Sequence, residues 1–289
     1  PQRVRLRRCR LSLPPRRRRQ WHTEVATALE RLGGDTGLAG ADHVAQHWRA
    51  AGQAQRALVA ELRAAQAWRQ LGALEESAER CRRIAEQAQD PLLRMRARAA
   101  VAEHLLLSDL AAGHQALEAL LAETAGLPHS PQRQTLLVRL HTGLADNAIY
   151  RGDLVQAALH VDRLHPILDD AEPVERQHAL EIVIEVSTRR GDFAQARAAL
   201  ESGRRENPAN VTWNVYAAML AWSEMRLDDA IAGFAQVLRD HPDHARYVMV
   251  ENDHAVALWA RGDVAAAEHW LRRGLTTWAG VPHAQCLSR

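Results

Sequence analysis

Two histidines four residues apart are the first residues in the sequence with the spacing for chemistry. His43 and His47 would share one face of a helix, where two imidazoles can bind zinc. Residue 44 is Val rather than the Glu of a His-Glu-x-x-His metalloprotease, and no third ligand is evident. Three further histidines are spread over a predicted turn and helix: His241, His244 and His254. We therefore expect no metal site in this chain.

The basic residues exclude several kinds of catalysis, because all 37 of them are arginines. Without lysine, the chain has no Schiff-base nucleophile, no attachment point for pyridoxal phosphate and no phosphate-binding loop ending in Gly-Lys. The sequence also lacks the Gly-x-Ser-x-Gly turn of serine hydrolases and the signatures of cysteine hydrolases. We expect a non-enzymatic chain that uses no cofactor.

Charge is distributed unevenly between a short N-terminal segment and the rest of the chain. Nine arginines and no acidic residue lie in the first nineteen positions, whereas 28 arginines and 35 acidic residues follow, a net charge of −7. We treat residues 1–20 as a basic segment that either contacts an acidic partner, neutralises phosphates, or begins a surface helix at Arg16–Arg19. No aromatic side chain interleaves these arginines, so base stacking has no support and nucleic acid is a disfavoured partner.

Cysteine usage and hydropathy predict the compartment. Cys9, Cys81 and Cys286 are odd in number and too far apart for a Cys-x-x-Cys motif, which favours a reduced, cytoplasmic protein. The longest uncharged run, residues 207–223, is too short and too polar to span a bilayer. No stretch has the apolar length of a signal peptide, so we expect no membrane partner.

Alanine and leucine recur at helical spacing along almost the whole chain. In residues 53–71, for example, Ala57, Leu58, Leu62 and Ala65 would lie on one face of a helix. Aromatic residues are only 4% of the composition, and no stretch alternates as a strand would. Short interruptions combine a glycine that can end one helix with an Asp that can cap the next. The chain is therefore predicted to be all-α.

The interruptions repeat with a nearly constant period. Three Arg-Gly-Asp triplets, 151–153, 190–192 and 261–263, each precede an alanine-rich stretch; we interpret them as helical turns rather than adhesion motifs. Alanines follow at the same offset after successive turns: Ala157, Ala196, Ala230 and Ala267. A two-helix unit with a period near 34 residues is typical of tetratricopeptide repeats, which residues 190–242 resemble most closely. We predict a superhelical array of antiparallel helix pairs, a tetratricopeptide-like solenoid of about six hairpins, over residues 21–289.

The N-terminal part carries a second resemblance. Leu13-Pro14-Pro15, the arginines 16–19, His22 and the segment from Val44 through His47-Trp48 to Gly52 follow one another in order. This order is similar to the junction between a winged-helix segment and a helical-repeat arm in bacterial LuxR-type and SARP-type ATP-binding (STAND ATPase) transcriptional regulators. The resemblance implies that His47-Trp48 packs the first hairpin, and that ATPase and DNA-binding domains lie outside this chain. The chain starts at Pro1 rather than Met, which is compatible with a piece of a longer protein.

The repeat alignment predicts which side chains face the inner surface of the array. Trp21, Trp48, Trp68 and Trp270 are interpreted as core wedges, whereas Trp222 and Trp259 align with the inner surface. The full inner-surface set is Arg139, Thr142, Asp146, Tyr150, His178, Glu181, Glu185, Arg189, Thr212, Met219, Trp222, Asn252 and Trp259. This mixed polar surface with a few aromatics suits a protein or peptide partner. The alternative is that these residues are ordinary helix surface.

Two functions remain open at this point. The first is a sensor and interaction arm in bacterial signal transduction, in which a partner protein or a small inducer binds the inner surface and changes the arm's contacts with the ATPase domain. The alternative is a free-standing tetratricopeptide adaptor that scaffolds other proteins. A third class, a nucleic-acid-binding repeat, would need a strongly basic inner surface, and the net charge of −7 outside the first nineteen residues disfavours it.

Overall fold

The structure, a computed structural model, describes residues 14–32, 37–70, 73–106, 108–242 and 250–277. Within these ranges the regular structure is entirely α-helical, with short turns between the helices. The prediction of an all-α fold of successive antiparallel helix pairs is confirmed. Fourteen helices lie in the described ranges, enough for seven pairs where the sequence predicted about six.

The chain divides into two compact units, Pro1–Leu136 and Leu137–Arg289, with the boundary inside one helix. The described helices of the first unit are α1 (Pro15–Arg31), α2 (Gly37–Ala50), α3 (Ala54–Gln70), α4 (Leu74–Gln87), α5 (Pro91–Leu105) and α6 (Leu110–Ala125). Helix α7 (Pro131–Tyr150) contains the boundary. The second unit continues with α8 (Leu154–Leu164), α9 (Pro173–Arg189), α10 (Phe193–Glu206), α11 (Thr212–Ser223), α12 (Leu227–Asp240), α13 (Val250–Arg261) and α14 (Val264–Thr277).

The Arg-Gly-Asp triplets are turns of helical hairpins, as predicted. At the α9–α10 turn, Gly191 has φ +75° and its N–H donates to the carbonyl of Thr188, while the N–H of Asp192 donates to the carbonyl of Ser187. This pair of bonds closes a helix C-terminus and needs one residue in the left-handed region, which glycine adopts without strain. The Asp192 carboxylate then accepts from the N–H of Gln195, 3.1 Å away, and caps α10.

One hairpin makes the same turn without glycine. Between α11 and α12, Met225 has φ +61°, its N–H donates to the carbonyl of Trp222, and the N–H of Arg226 donates to the carbonyl of Ala221. The hydrogen bonds match those around Gly191. The turn geometry is therefore preserved with an L-residue in a conformation that is costly for it.

Small residues allow the helices of the second unit to pack closely. The four alanines that define the period, Ala157, Ala196, Ala230 and Ala267, are all buried, as the repeat requires. Gly203 on α10 lies directly against the buried Trp213 ring of α11, and a Cβ at position 203 would be 2.5 Å from a ring carbon. The Trp213 indole N–H donates to the carbonyl of Asn207, 3.1 Å away, so this large side chain is both packed and hydrogen-bonded.

Most of the arginines, histidines and tryptophans that the sequence subsection considered near the N-terminus lie in the first unit. Arg16–Arg19 are exposed in the first turns of α1, where one of the three interpretations put them; residues 1–13 lie outside the described ranges. Trp48 is fully buried and its indole N–H donates to Glu30. His47 does not pair with His43 but faces His22 of α1, with Nδ1 atoms 3.0 Å apart. Of the other predicted wedges, Trp21, Trp68 and Trp270 are only half-buried.

Candidate functional site

A cleft of about 220 Å³ opens in the second unit where three helices lie side by side. These helices are α9, α11 and α13, the first helices of three successive hairpins. Its lining residues are Ile184, Glu185, Thr188 and Arg189 from α9, Tyr216, Met219, Trp222 and Ser223 from α11, Phe234 from α12, and Asp253 and Val256 from α13.

Helical periodicity explains why these side chains meet. On α11, Tyr216, Met219 and Trp222 follow one another at three-residue intervals and so lie on one face. Glu185 and Thr188 on α9 have the same spacing, as do Asp253 and Val256 on α13. Because the tight turns return each second helix to the other side, the three faces line one surface. The cleft lining therefore combines apolar and aromatic groups with charged ones.

One ion pair lies at the edge of the cleft. The Arg189 guanidinium donates to the Glu185 carboxylate one helical turn earlier, with a shortest N···O distance of 2.8 Å. The Arg189 side chain is more than half exposed, so the pair is worth only a fraction of a kcal/mol, about 0.3–0.5 for a helix pair of this spacing. Its main effect is to neutralise one of the carboxylates in the cleft.

Several carboxylates act electrostatically on the phenol of Tyr216. Burial raises the pKa of Tyr216 well above its ordinary value, and the negative charges of Glu181, Glu185 and Asp146 raise it further. Burial also raises the pKa of Glu181 to about 6, although a hydrogen bond from Gln177 opposes the shift. Tyr216 thus remains protonated at neutral pH, with an O–H group close to an acidic surface.

Asp253 is the carboxylate of α13 that reaches the cleft. Burial raises its pKa to about 6, the charge of Glu185 adds to the increase, and a hydrogen bond from Asn252 opposes it. In the part of the chain that the structure describes, the other groups that act on Asp253 are thus an amide and a second carboxylate. Its negative charge at neutral pH is desolvated without a cation among these groups.

A hydroxyl in the cleft has unused hydrogen-bonding capacity. The Oγ1 atom of Thr188 is buried, and it makes no hydrogen bond to any group in the described ranges. A buried polar atom without a partner costs free energy, because it has lost water and gained nothing in return. A bound group that hydrogen-bonds Thr188 would recover that free energy.

The structure brings together about half of the inner-surface residues identified from the sequence. Glu185, Arg189, Met219 and Trp222 line the cleft directly. Asp146, Tyr150 and Glu181 lie within electrostatic range of Tyr216 and extend the acidic surface toward α7.

The other inner-surface residues lie elsewhere. Arg139 and Thr142 are buried on α7, with the Arg139 guanidinium 4.0 Å from the Glu175 carboxylate. Trp259 is 65% exposed and lies outside the cleft lining. Three others also lie outside the lining: His178 is partly buried on α9, Thr212 begins α11 with its N–H bound to Asn210, and Asn252 bonds Asp253.

Several cleft residues are not among those predicted from the sequence: Ile184, Thr188, Tyr216, Ser223, Phe234, Asp253 and Val256. Helical spacing could have found Tyr216, because it precedes Met219 by three residues. On α13 the alignment selected Asn252, whereas the neighbouring Asp253 lines the cleft. A shift of one residue rotates a helical side chain by about 100° and therefore changes the face.

The described ranges contain no group of three or more His, Cys, Asp or Glu residues arranged to hold a metal ion. Of the histidines considered above as possible metal ligands, His43 is exposed and His254 packs edge-on against Trp270, whereas His244 lies outside the described residues. Cys81 is buried on α4, whereas Cys9 and Cys286 lie outside the described residues. None of the helices that the structure describes has the length and apolarity to cross a bilayer.

Part of the chain is similar to tetratricopeptide repeats of known proteins. Residues 188–252 match the family model of a tetratricopeptide repeat. A tetratricopeptide repeat protein from Parabacteroides merdae is similar over 93% of this chain and 97% of its own, with 13% identity and a TM-score of 0.52. A Rap protein, solved in complex with Competence and Sporulation Factor, is similar over 86% of this chain and 71% of its own, with 12% identity and a TM-score of 0.62. No curated protein sequence matches the chain. The matched segment runs from Thr188 to Asn252 and so spans α10, α11 and α12, of which α11 and α12 contribute side chains to the cleft.

Proposed function

We propose that this chain is a non-enzymatic recognition module that binds a peptide or protein segment on the α9–α11–α13 face. The cleft is the observation that carries the proposal, since it combines partly buried aromatics with a hydroxyl that lacks a partner among the described residues and with desolvated carboxylates. Recognition sites usually combine apolar contact area with a few polar groups that fix orientation. The predicted inner-surface residues near Tyr216 would extend the contact toward α7.

Methionine methyl NMR tests where a partner binds. The chain has four methionines; Met219 lines the cleft, and Met95 is buried in the first unit. A peptide selected for binding from a random library should shift the ¹³C-methyl signal of Met219 and leave that of Met95 unchanged. A bound peptide that leaves Met219 unshifted would place recognition elsewhere on the chain.

At a finer level, we propose that the module is the cytoplasmic sensor and interaction arm of a bacterial ATPase-type transcriptional regulator. The order of the Leu-Pro-Pro, arginine and His-Trp segments supports this proposal, with residues 1–20 as the remnant of the junction and 21–289 as the repeats. Binding at the cleft would then change how the arm contacts an ATPase domain. A free-standing adaptor fits the recognition role equally well.

The genomic reading frame separates the two possibilities. A frame that continues upstream of Pro1 into a Gly-Lys phosphate-binding loop would support the regulator, whereas a start codon immediately before Pro1 would support the adaptor. If the regulator is correct, an isolated ATPase module should bind the arm, and a cleft-binding peptide should alter its affinity. Absence of any such binding would contradict the sensor role.

A further inference from the structure

We propose that the cleft selects a partner segment by one cationic side chain, an arginine or lysine, which enters between Trp222 and Asp253. This inference rests on the proposed function and specifies the chemistry of the partner. The occupant is an extended peptide segment that carries the cationic side chain, with apolar residues beside it.

The size of the cleft favours a single side chain. Pockets that enclose whole small ligands have volumes of about 300–1,000 Å³, and this cleft has about 220 Å³. One long side chain fills such a space while the backbone that carries it stays outside. The same size disfavours a small inducer held entirely within the cleft.

The charges favour a cation. Asp253 and Glu185 line the cleft, Glu181 acts electrostatically on Tyr216 of the same lining, and the Arg189 guanidinium pairs with Glu185. Asp253 is desolvated, and within the described ranges the other groups that act on it are an amide and a carboxylate. An arriving guanidinium or ammonium group would give Asp253 the opposite charge that a buried carboxylate requires.

The aromatic lining favours the same ligand. Among the described residues, three arginines lie over tryptophan rings, with guanidinium carbons 4.7–5.4 Å from the ring centres: Arg56 on Trp48, Arg80 on Trp68 and Arg273 on Trp270. Trp222 offers the same kind of ring in the lining that it shares with Asp253. A cation placed there gains attraction from the ring face as well as from the carboxylate.

The rim indicates what flanks the cationic residue. Val256 lines the cleft and is 37% exposed, and Trp259 lies three residues further along α13 with most of its side chain exposed. These two side chains continue the cleft as an apolar edge on one helix face. A partner with an apolar residue next to its arginine or lysine would bury this edge.

Selection of random peptides on the full chain tests the proposal. We expect the retained peptides to be enriched in arginine or lysine beside an apolar residue. Replacing that arginine with citrulline, which keeps its shape but loses its charge, should weaken binding about tenfold. The same loss should follow from Asp253→Asn, and the two changes together should cost little more than either alone.

Matched variants keep the test independent of folding. Asp162→Asn removes the same charge from the exposed face of α8 and should leave affinity unchanged. Trp222→Leu should weaken binding of the arginine peptide about fivefold, and Trp222→Phe should restore part of it. Asp253→Asn removes a charge that burial disfavours, so its melting temperature should be no lower than that of the parent.

The outcomes separate this inference from the function on which it rests. Retained peptides that lack basic residues, or that bind equally well with citrulline, would overturn the cationic subsite and leave peptide recognition intact. Acidic peptides bound through Arg189 would do the same. If no peptide is retained, or if Trp222→Leu and Asp253→Asn chains bind every retained peptide normally, both the subsite and the proposed cleft function are wrong.

Discussion

Single residues determine how closely the helices of the second unit approach one another. Gly203 and Trp213 are the clearest case, because the indole ring occupies the space that any larger side chain at 203 would need. A close-packed interior cannot absorb even one methyl group without moving neighbours. The contact between Gly203 and Trp213 could not be predicted from the sequence, in which Trp213 lies within the uncharged run 207–223.

We predict that Gly203→Ala destabilises the protein by about 1–3 kcal/mol, because the new Cβ overlaps the Trp213 ring. Chemical denaturation followed by circular dichroism measures the change. Gly126→Ala is the matched control, since the nearest atom to a Cβ at that position is 3.6 Å away and its backbone is not in the left-handed region. Equal effects of the two substitutions would contradict the packing argument.

A second residue-scale feature is sensitive to pH. His141 of α7 faces His160 of α8 with Nδ1 atoms 3.1 Å apart, and burial lowers the pKa of His141 to about 4, with the charges of His160 and Arg163 adding to the decrease. The folded protein therefore keeps this imidazole neutral. Since the ordinary pKa is about 6.5, the stabilisation is present above pH 6.5 and is lost as the pH falls toward 4.

Between pH 6.5 and pH 4, the free energy of unfolding should fall further in the parent protein than in His141→Gln. We expect the difference between the two decreases to be about 1–2 kcal/mol. Urea denaturation at several pH values gives the slope of the free energy of unfolding against pH for each protein. His160→Gln should reduce the slope by a smaller amount, because burial of His141 remains. Parallel slopes for the parent and His141→Gln would show that this pair does not titrate with folding.

At the scale of elements, five of the described turns share one backbone geometry, and one of the five adopts it without glycine. Gly52, Gly152, Gly191 and Gly262 all have positive φ at the end of a helix, and Met225 occupies the equivalent place before α12. The Met225 side chain is 71% exposed, so it gains little from packing. The left-handed backbone conformation is consequently a cost without an evident local benefit.

We predict that Met225→Gly stabilises the protein by about 0.5–1 kcal/mol. Glycine relieves the strain of the left-handed conformation, and the greater conformational freedom that it gives the unfolded chain offsets part of this gain. Thermal unfolding monitors the gain. Met225→Ala removes the same side chain but retains the strain, so it should give no comparable increase. A larger gain from alanine than from glycine would exclude backbone strain as the cause.

Element types were predictable from the sequence, whereas the register of the cleft was only partly predictable. Glycine followed by Asp identifies a turn through local chemistry, so the hairpin turns could be located without tertiary information. The repeat spacing varies from 34 to 39 residues, which leaves the face of each helix uncertain by a residue or more. Asn252 was therefore selected in place of Asp253, and Arg139 was placed on a surface although it is buried beside Glu175.

At the scale of the whole molecule, the two units have separate hydrophobic clusters. Leu62, Cys81 and Ile84 belong to a cluster in the first unit, and Val183 and Leu200 belong to one in the second. In repeat proteins, stability is approximately a sum over repeats and nearest-neighbour interfaces. A destabilising substitution in one repeat should therefore lower the stability of that repeat and its neighbours, and leave distant repeats unchanged.

We predict that Gly203→Ala accelerates amide hydrogen exchange in α9–α12 and leaves exchange in α3–α5 unchanged. Exchange measured by mass spectrometry under native conditions resolves the two regions. The Gly126→Ala variant is the control, because it shows how far a glycine-to-alanine substitution without a steric clash changes the exchange rates. Uniform acceleration throughout the described helices would mean that the chain unfolds as one cooperative block.

The self-contained turns have a consequence for how the chain can change in length. Each is closed by hydrogen bonds within six residues, and equivalent left-handed positions at Gly191 and Met225 are 34 residues apart. Tandem duplication of residues 191–224 would thus insert one complete hairpin that brings its own closure and its own copies of Tyr216, Met219 and Trp222. Such an event would lengthen the binding face in a single step, without requiring compensating substitutions at the existing turns.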